Sequence, residues 1–445
     1  MPSPPKAGPR PDAAPRRKRA AVAESPLPSP VAPDQAAPDA AYAPALNAGL
    51  QATTNRVQEM HQTIAGHTFD TLLNVPGLAT LTRIVQGVHD AITQGVYAAV
   101  RHGANATLSL ADGAERLGSA GRVPGAKEQS FRSVLNAAFG DTLDAMSNPL
   151  AIRMGLHANG KPITLDPEAL TGLQSKVLVF IHGLGCDERS WIGRPQTWAD
   201  AAGPAASKPG VPLDYGAMLE RELPVSAFYL RYNTGLALDA NGEALADLLT
   251  QLVAAAPHVR ELVLIGHSMG GLVARQALAV AVAVAAERGM AWPPMVRLLI
   301  CLGSPHQGAP LERLGTLTSK ALGMTKTTQP LARIVNARSV GIKDLGDGLK
   351  RKKGAGTVAV SPLAIKLVFA TLVDEADTVL GPWIGKMLGD GLVQAPSASD
   401  EGLTGDVERC ELPGLGHMAL LSHPRVYALI RRWLGPPKST PSARG

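Results

Sequence analysis

Beyond residue 165, short apolar runs of strand length alternate with longer segments whose apolar positions recur at helical spacing. The strand-like runs are Lys176–Ile181, Val225–Leu230, Glu261–Ile265, Val296–Leu302, Ile365–Leu372 and Val407–Leu412. Helical spacing is clearest over Asn241–Ala255 and Leu272–Arg288. Strands that alternate with helices are typical of βαβ units and a parallel sheet. The pattern predicts one α/β domain with a doubly wound, mostly parallel sheet over residues 166–437.

The region before this domain has a different pattern. Apolar residues recur at helical spacing between residues 42 and 117, for example at Leu78, Leu81 and Val85, and predict two or three amphipathic helices. Helical spacing continues from 128 to 153, so residues 45–165 are interpreted as a helical N-terminal extension. Packing on the main domain or on each other is the favoured role of these helices. A membrane-surface or oligomerisation role is the alternative, although their polar face is not strongly basic.

The two ends of the chain are predicted to be disordered. Residues 1–44 are rich in Pro, Ala and charged residues and hold few bulky apolar side chains, so they cannot bury enough surface to fold. The same is expected of residues 438–445. The first segment lacks the continuous apolar stretch of a secretory signal, and the longest apolar run elsewhere, 277–286, is shorter than the roughly 20 residues that span a bilayer. We therefore expect a cytoplasmic protein or one peripheral to a membrane.

Charge and cysteine content narrow the function classes. The 445-residue chain has 43 Lys and Arg against 37 Asp and Glu, a formal net charge of +6. The basic runs 16–19 and 351–353 are interpreted as solvated patches. Without zinc-ligand spacing or an RNA-binding signature, no nucleic-acid partner is expected. Three widely spaced cysteines indicate no disulfide framework.

A candidate nucleophile lies between the third strand-like run and the helix that follows it. The sequence there is Gly266-His267-Ser268-Met269-Gly270. This strand, G-x-S-x-G, helix order presents a serine on a strained turn, and side chains at the two glycines would collide with the turn or the neighbouring strand. The motif alone is weak. The first predicted strand, however, ends in His182-Gly183-Leu184-Gly185, whose glycines allow a sharp turn with free N–H groups. The main-chain N–H groups of Leu184 and Met269 are the predicted oxyanion-hole donors.

A serine nucleophile needs a histidine base and a carboxylate that orients it, and in this fold the chain order is serine, acid, histidine. His417 follows the last predicted strand on a glycine-rich loop and is the predicted base, whereas His423 precedes Pro424 and is interpreted as a helix cap or surface residue. The acids after the fifth strand are Asp374, Glu375, Asp377, Asp390 and Asp400. Asp390, held in a turn at 389–393, is preferred, with Asp374 and Asp377 as alternatives.

As a set, these motifs resemble the α/β-hydrolase superfamily, and more closely its bacterial lipase and esterase branch, which includes lipases similar to GPI inositol deacylases. The resemblance covers about residues 166–434 and also includes Ser304-Pro305-His306, similar to a Thr-Pro-His turn of that branch. It implies an α/β-hydrolase fold and a triad of Ser268, Asp390 and His417, with His306 as a structural or pocket-lining residue. It also implies that the insertion at 309–360 is a lid or cap, and a mobile lid and a rigid cap both remain open.

The expected function is a serine carboxylic ester hydrolase that cleaves acyl esters through an acyl-enzyme intermediate. Its expected partner is a small acyl ester or a lipid, with peripheral contact to a lipid interface, and it needs no metal or organic cofactor. One alternative is an acyltransferase that uses the same triad. The other is a membrane-tethering scaffold with a vestigial hydrolase domain. Acyl chain length and oligomeric state are left open by the sequence.

Overall fold

The computed structural model describes residues 126–193, 197–198, 213–310, 339–349, 363–372 and 390–435, with isolated positions between 58 and 94. Those isolated positions are helical, except for Asn74 in a turn. The tails predicted to be disordered lie outside the described residues. Most of the predicted extension before residue 126 and much of the predicted insertion at 309–360 also lie outside them.

An eight-stranded sheet forms the centre of the described structure. Its strands are β1 (Gly155–Ala158), β2 (Lys161–Pro162), β3 (Lys176–Ile181), β4 (Ser226–Arg231), β5 (Glu261–His267), β6 (Val296–Leu302), β7 (Ala364–Thr371) and β8 (Val407–Pro413). Their order is β2-β1-β4-β3-β5-β6-β7-β8. Strands β3 to β8 are paired in parallel, whereas β1 is antiparallel to both β2 and β4. The predicted mostly parallel sheet is confirmed, with strand ends shifted by one or two residues at most.

Strands β1 and β2 were not predicted, and they extend the sheet to residues before the expected domain start at 166. Gly155, Leu156 and His157 pair with β4, so this segment is an integral part of the sheet. The two strands are only four and two residues long and are joined by Asn159 and Gly160, both with positive φ. Such short strands show no readable alternation of apolar and polar positions, which is why the pattern missed them.

Helices cover both faces of the sheet, as a parallel sheet requires. They are α1 (Ala126–Ala145), α2 (Tyr215–Glu222), α3 (Leu238–Ala255), α4 (Met269–Arg288), α5 (Val340–Asp347), α6 (Ala395–Ser399) and α7 (Pro424–Leu434). Alternate residues of each strand point to opposite faces. In β3, Val177 and Val179 join the apolar cluster with α3 and α4, while Leu178 and Phe180 join the cluster with α2 and α7.

Helix α1, which lies in the predicted N-terminal extension, packs on the α/β domain. The Gly140 carbonyl accepts a hydrogen bond from the Asn233 side chain after β4 (2.9 Å), and the Ala137 carbonyl accepts one from the Ser339 hydroxyl before α5 (2.6 Å). The described side chains from 132 to 140 are buried. Within the described part of the chain, no helix has both the length and the apolar character needed to cross a membrane.

Candidate active site

Ser268 stands between β5 and α4 in a backbone conformation that few residues other than glycine adopt. Its φ is 53° and its ψ is −123°. Its N–H donates to the Leu302 carbonyl at the end of β6 (2.8 Å), and its own carbonyl accepts from the Gly271 N–H (3.2 Å). A conformation of this kind costs on the order of 1–3 kcal/mol and persists only where the surroundings enforce it.

The glycines on either side of Ser268 leave room for that conformation. We call residues 266–271 the nucleophile turn. A Cβ at Gly266 would collide with the backbone of Gly271, and one at Gly270 would collide with the Ile181 carbonyl and lie 2.6 Å from that of His182. Backbone therefore packs directly on backbone on both sides of the serine. The motif's glycines are required by this close approach.

The structure brings His417 and Asp390 together. Nδ1 of His417 lies 2.6 Å from Oδ2 of Asp390, and both side chains are buried. The other carboxylate oxygen of Asp390 accepts from the N–H groups of Leu392 (3.0 Å) and Val393 (2.8 Å). Because an ionised carboxylate only accepts, the proton of neutral His417 resides on Nδ1, and Nε2 is left as a free base.

Asp400, the other candidate acid among the described residues, has a different partner. Among the described residues, Asp400 is ion-paired with Arg275 (2.7 Å) and sits in a left-handed conformation after α6. Asp374 and Asp377 lie outside the described residues. His423, predicted as a cap or surface residue, is confirmed as the N-cap of α7, where its Nδ1 accepts from the Arg425 N–H (3.2 Å).

The turn after β6 connects the serine to the His417–Asp390 pair. The Leu302 carbonyl accepts a hydrogen bond from the Ser268 N–H, and the next residue, Gly303, has a φ of 61°. A Cβ at Gly303 would lie 3.1 Å from Nδ1 of His417 and 3.2 Å from Oδ2 of Asp390.

Neither Oγ of Ser268 nor Nε2 of His417 makes a hydrogen bond to any described residue. Catalytic hydrogen bonds often tighten only when substrate binds.

The glycine turn after β3 lies against the serine. A Cβ at Gly183 would be 2.9 Å from Cβ of Ser268. The Gly185 N–H donates to the Thr234 hydroxyl (3.2 Å), and the Cys186 N–H donates to the Gly183 carbonyl (3.2 Å). Among the described residues, no acceptor is found for the N–H of Leu184 or of Met269. The two predicted oxyanion-hole donors thus have no partner among the described residues.

Three more histidines surround the site, and burial lowers the pKa of each below its usual range. His182 stacks on Tyr232 with ring centroids 4.6 Å apart. Nδ1 of His306 accepts from Arg275 (2.8 Å). Nε2 of His267 donates a hydrogen bond to the backbone carbonyl of His417 (3.1 Å). All three stay neutral at ordinary pH, so they add no positive charge beside His417.

The sequence interpretation missed His267 and Arg275. Both lie close to Ser268 in the chain, but their partners His417 and Asp400 are 150 and 125 residues away. The only signal in the sequence was that both residues lie near Ser268 in the chain. That signal does not indicate which distant residue each one contacts.

The cysteines are unsuited to act as nucleophiles. Burial raises the pKa of Cys186 to about 11 and that of Cys301 to about 12. The nucleophilic form of cysteine is the thiolate, which is scarce at neutral pH for such values. Ser268 thus remains the candidate nucleophile in this part of the structure.

Part of the predicted lid or cap insertion is described, and it is bonded to the α/β domain. The Leu349 N–H donates to the His306 carbonyl (3.0 Å), and within the insertion the Ala309 N–H donates to the Leu345 carbonyl (3.2 Å). The first of these bonds ties the end of α5 to the turn after β6. Residues 311–338 and 350–362 lie outside the described residues.

Comparison with known proteins gives one family match. The model of the PGAP1-like α/β domain matches residues 229–345. No curated protein sequence matches the chain. Similar solved structures include a mature lipase from Bacillus licheniformis, with 15% identity, a TM-score of 0.38 and coverage of 59% of this chain and 93% of that one. A Pyrococcus furiosus esterase has 15% identity, a TM-score of 0.35 and coverage of 59% and 81%.

The family match agrees with the architecture described above. It runs from β4 to α5 and therefore includes the nucleophile turn. The parallel order of β3 to β8 and the strand, serine turn, helix arrangement are those of an α/β-hydrolase. The fold is that of an α/β-hydrolase, and its segment 229–345 is similar to the PGAP1-like α/β domain.

Proposed function

We propose that this protein is a serine carboxylic ester hydrolase that cleaves acyl esters through an acyl-enzyme intermediate. The observation that carries the proposal is the buried hydrogen bond between Nδ1 of His417 and Oδ2 of Asp390 (2.6 Å), beside the strained turn of Ser268. A histidine oriented in this way has its Nε2 free to take the proton of a serine hydroxyl.

In the first half of the proposed reaction, Oγ of Ser268 attacks the ester carbonyl carbon while Nε2 of His417 takes the hydroxyl proton. The carbonyl oxygen becomes an oxyanion that accepts hydrogen bonds from the N–H groups of Leu184 and Met269. The C–O bond to the alcohol then breaks, and His417 returns the proton to the leaving alkoxide. Removing one oxyanion donor from such a site typically costs about 10²–10³-fold in rate.

In the second half, water replaces the alcohol. Nε2 of His417 takes a proton from the water as its oxygen attacks the acyl-enzyme carbonyl, and the bond to Oγ of Ser268 then breaks. The carboxylic acid leaves, and the serine recovers its proton. Asp390 remains ionised throughout, fixes the tautomer of His417 and stabilises the imidazolium when it forms.

The substrate is proposed to be an acyl ester, lipid-like or of medium chain length. The resemblance of the sequence motifs to lipases and esterases supports this class. Apolar side chains border the base: Leu372, which is half exposed, lies 3.6 Å from a Cβ placed at Gly416, and Met418 directly follows His417 and is also half exposed. These side chains could contact an acyl chain next to the reacting carbonyl.

Hydrolysis of p-nitrophenyl esters from acetate to palmitate tests the proposal, with wild type, Ser268→Ala and Ser304→Ala compared at equal folded concentration. Ser304 is a matched control, because it is a buried serine that lies against Gly271 of the nucleophile turn. We expect Ser268→Ala to lower kcat by as much as roughly 10⁶-fold, the loss caused by removing a triad serine. Ser304→Ala should keep most of the activity.

Equal activity of Ser268→Ala and wild type would refute the serine mechanism. Loss in both variants would indicate a general effect on packing rather than a role for Ser268. The chain-length optimum divides esterase from lipase. Adding an alcohol and measuring the ester product against the free acid separates hydrolysis from acyl transfer.

A further inference from the structure

The backbone of His417 is held by hydrogen bonds at both its N–H and its carbonyl group. Its N–H donates to the Asp390 carbonyl (3.0 Å), and its carbonyl accepts from Nε2 of His267 (3.1 Å). The side chain makes the third bond, from Nδ1 to the Asp390 carboxylate. Two of these three bonds end on Asp390. The remaining bond, to the His417 carbonyl, comes from His267, which directly precedes Ser268 in the chain.

His267 is itself held firmly. It is the last residue of β5, where it pairs with Leu302 of β6, and its side chain is 1% exposed. Its ring lies against that of His417, with centroids 4.7 Å apart, and presents an edge-on contact to Trp191 at 6.4 Å. A Cβ at Gly183 would lie 3.1 Å from Nδ1, so backbone closes off that side of the ring. The imidazole has little freedom to turn.

The hydrogen bond fixes the tautomer of His267. A carbonyl only accepts, so Nε2 carries the proton, and in the neutral ring Nδ1 does not. Burial, followed by the charge of His417, lowers the pKa of His267 well below its usual range. His267 therefore donates as a neutral ring and does not compete with His417 for the proton taken from the serine.

We propose that His267 is a positioning residue that holds the base, His417, at a fixed distance from the nucleophile, Ser268. His267 is covalently next to Ser268 and hydrogen-bonded to the backbone of His417, so one residue connects the strand that presents the serine with the loop that presents the base. The inference rests on the proposed function. In that function, the hydrogen bond from His267 to the His417 carbonyl sets the distance between His417 and Ser268.

Two substitutions separate the hydrogen bond from the packing. His267→Gln keeps an N–H donor at nearly the position of Nε2, whereas His267→Leu has a similar volume and no donor. Because a misplacement of about 1 Å can cost on the order of 10²-fold in rate, we expect His267→Leu to lower kcat roughly 10- to 100-fold. KM for p-nitrophenyl butyrate should stay within about twofold, since substrate contacts are unchanged. His267→Gln should recover most of kcat.

A third variant keeps the test valid if His267→Leu fails to fold. His267→Asn is polar like the glutamine variant but one methylene shorter, so its amide falls short of the His417 carbonyl, and we expect the low kcat of the leucine variant. Equal kcat for the glutamine and asparagine variants, or wild-type kcat in the leucine variant, would overturn the inference. Retained activity in Ser268→Ala would instead overturn the proposed function, so the two failures are distinguishable.

Discussion

The nucleophile turn, residues 266–271, and the loop that carries the proposed base, residues 413–418 (the base loop), hold Ser268 and His417 by different physical means. Around Ser268, backbone packs on backbone so closely that Gly266 and Gly270 have no space for a Cβ. Around His417 the backbone is open: a Cβ at Gly414 would meet nothing within 4 Å, and one at Gly416 would meet its nearest atom at 3.6 Å. Steric exclusion fixes the first region, and hydrogen bonds to distant residues fix the second.

The difference shows how precise positioning can be reached with or without close packing. A turn between a strand and a helix is short in sequence, so neighbouring glycines suffice to shape it. His417 lies on a loop after the last strand, and its hydrogen-bond partners come from β5 and from the turn at Asp390. We therefore expect substitutions in the nucleophile turn to act on stability and activity together. Substitutions at the base loop's polar partners should act mainly on the rate.

The largest effect on rate among the base's partners is expected for Asp390→Asn. The asparagine can still accept from the Leu392 and Val393 N–H groups, so the turn should be retained. Its amide would donate to Nδ1 of His417 and favour the tautomer with the proton on Nε2, which cannot act as a base. We expect kcat to fall about 10⁴-fold, as for the equivalent change in a serine protease triad. Steady-state hydrolysis of p-nitrophenyl butyrate measures it.

A melting curve of the same variant serves as its control. An unchanged melting temperature with low kcat supports a role confined to the tautomer and charge of His417. A kcat within tenfold of wild type would show that another acid orients the base, and Asp374 and Asp377 would then be the next to test.

A smaller effect, on stability, is expected from a pair of alanine substitutions that compares the two regions directly. At Gly270, a Cβ would collide with the Ile181 carbonyl, so Gly270→Ala should destabilise the fold by at least about 3 kcal/mol, the upper end for overpacked sites. At Gly416, φ is −93° and there is room for a Cβ, so Gly416→Ala should change stability by less than about 1 kcal/mol. Urea unfolding measures both. Equal effects would contradict the steric distinction.

The sequence predicted the parts of this structure that depend on local pattern. All six predicted strands are present, because apolar runs bounded by polar residues mark buried strands irrespective of their neighbours. Strands β1 and β2 were missed, because they are too short to carry a pattern. Helix α4 begins at Met269, three residues before the predicted start at Leu272. The glycines after the serine belong to the helix, and helix propensity alone would exclude them.

The three main residues of the candidate site could be predicted, because α/β-hydrolases carry their serine, acid and histidine in that order along the chain. The resemblance to α/β-hydrolases ordered Ser268, Asp390 and His417 along the chain, and the structure brings the last two within hydrogen-bonding distance. The contact between His267 and His417 was not predictable. It joins residues that are 150 positions apart, and their proximity depends on the whole sheet.

The most direct test of the account is to label the protein with a p-nitrophenyl alkylphosphonate and to locate the adduct by mass spectrometry of the intact protein and its peptides. The account predicts a single adduct on Oγ of Ser268 in wild type, no adduct in Ser268→Ala, and much slower labelling in His417→Ala, because the base activates the serine. An adduct on another residue, or labelling of His417→Ala at the wild-type rate, would contradict it.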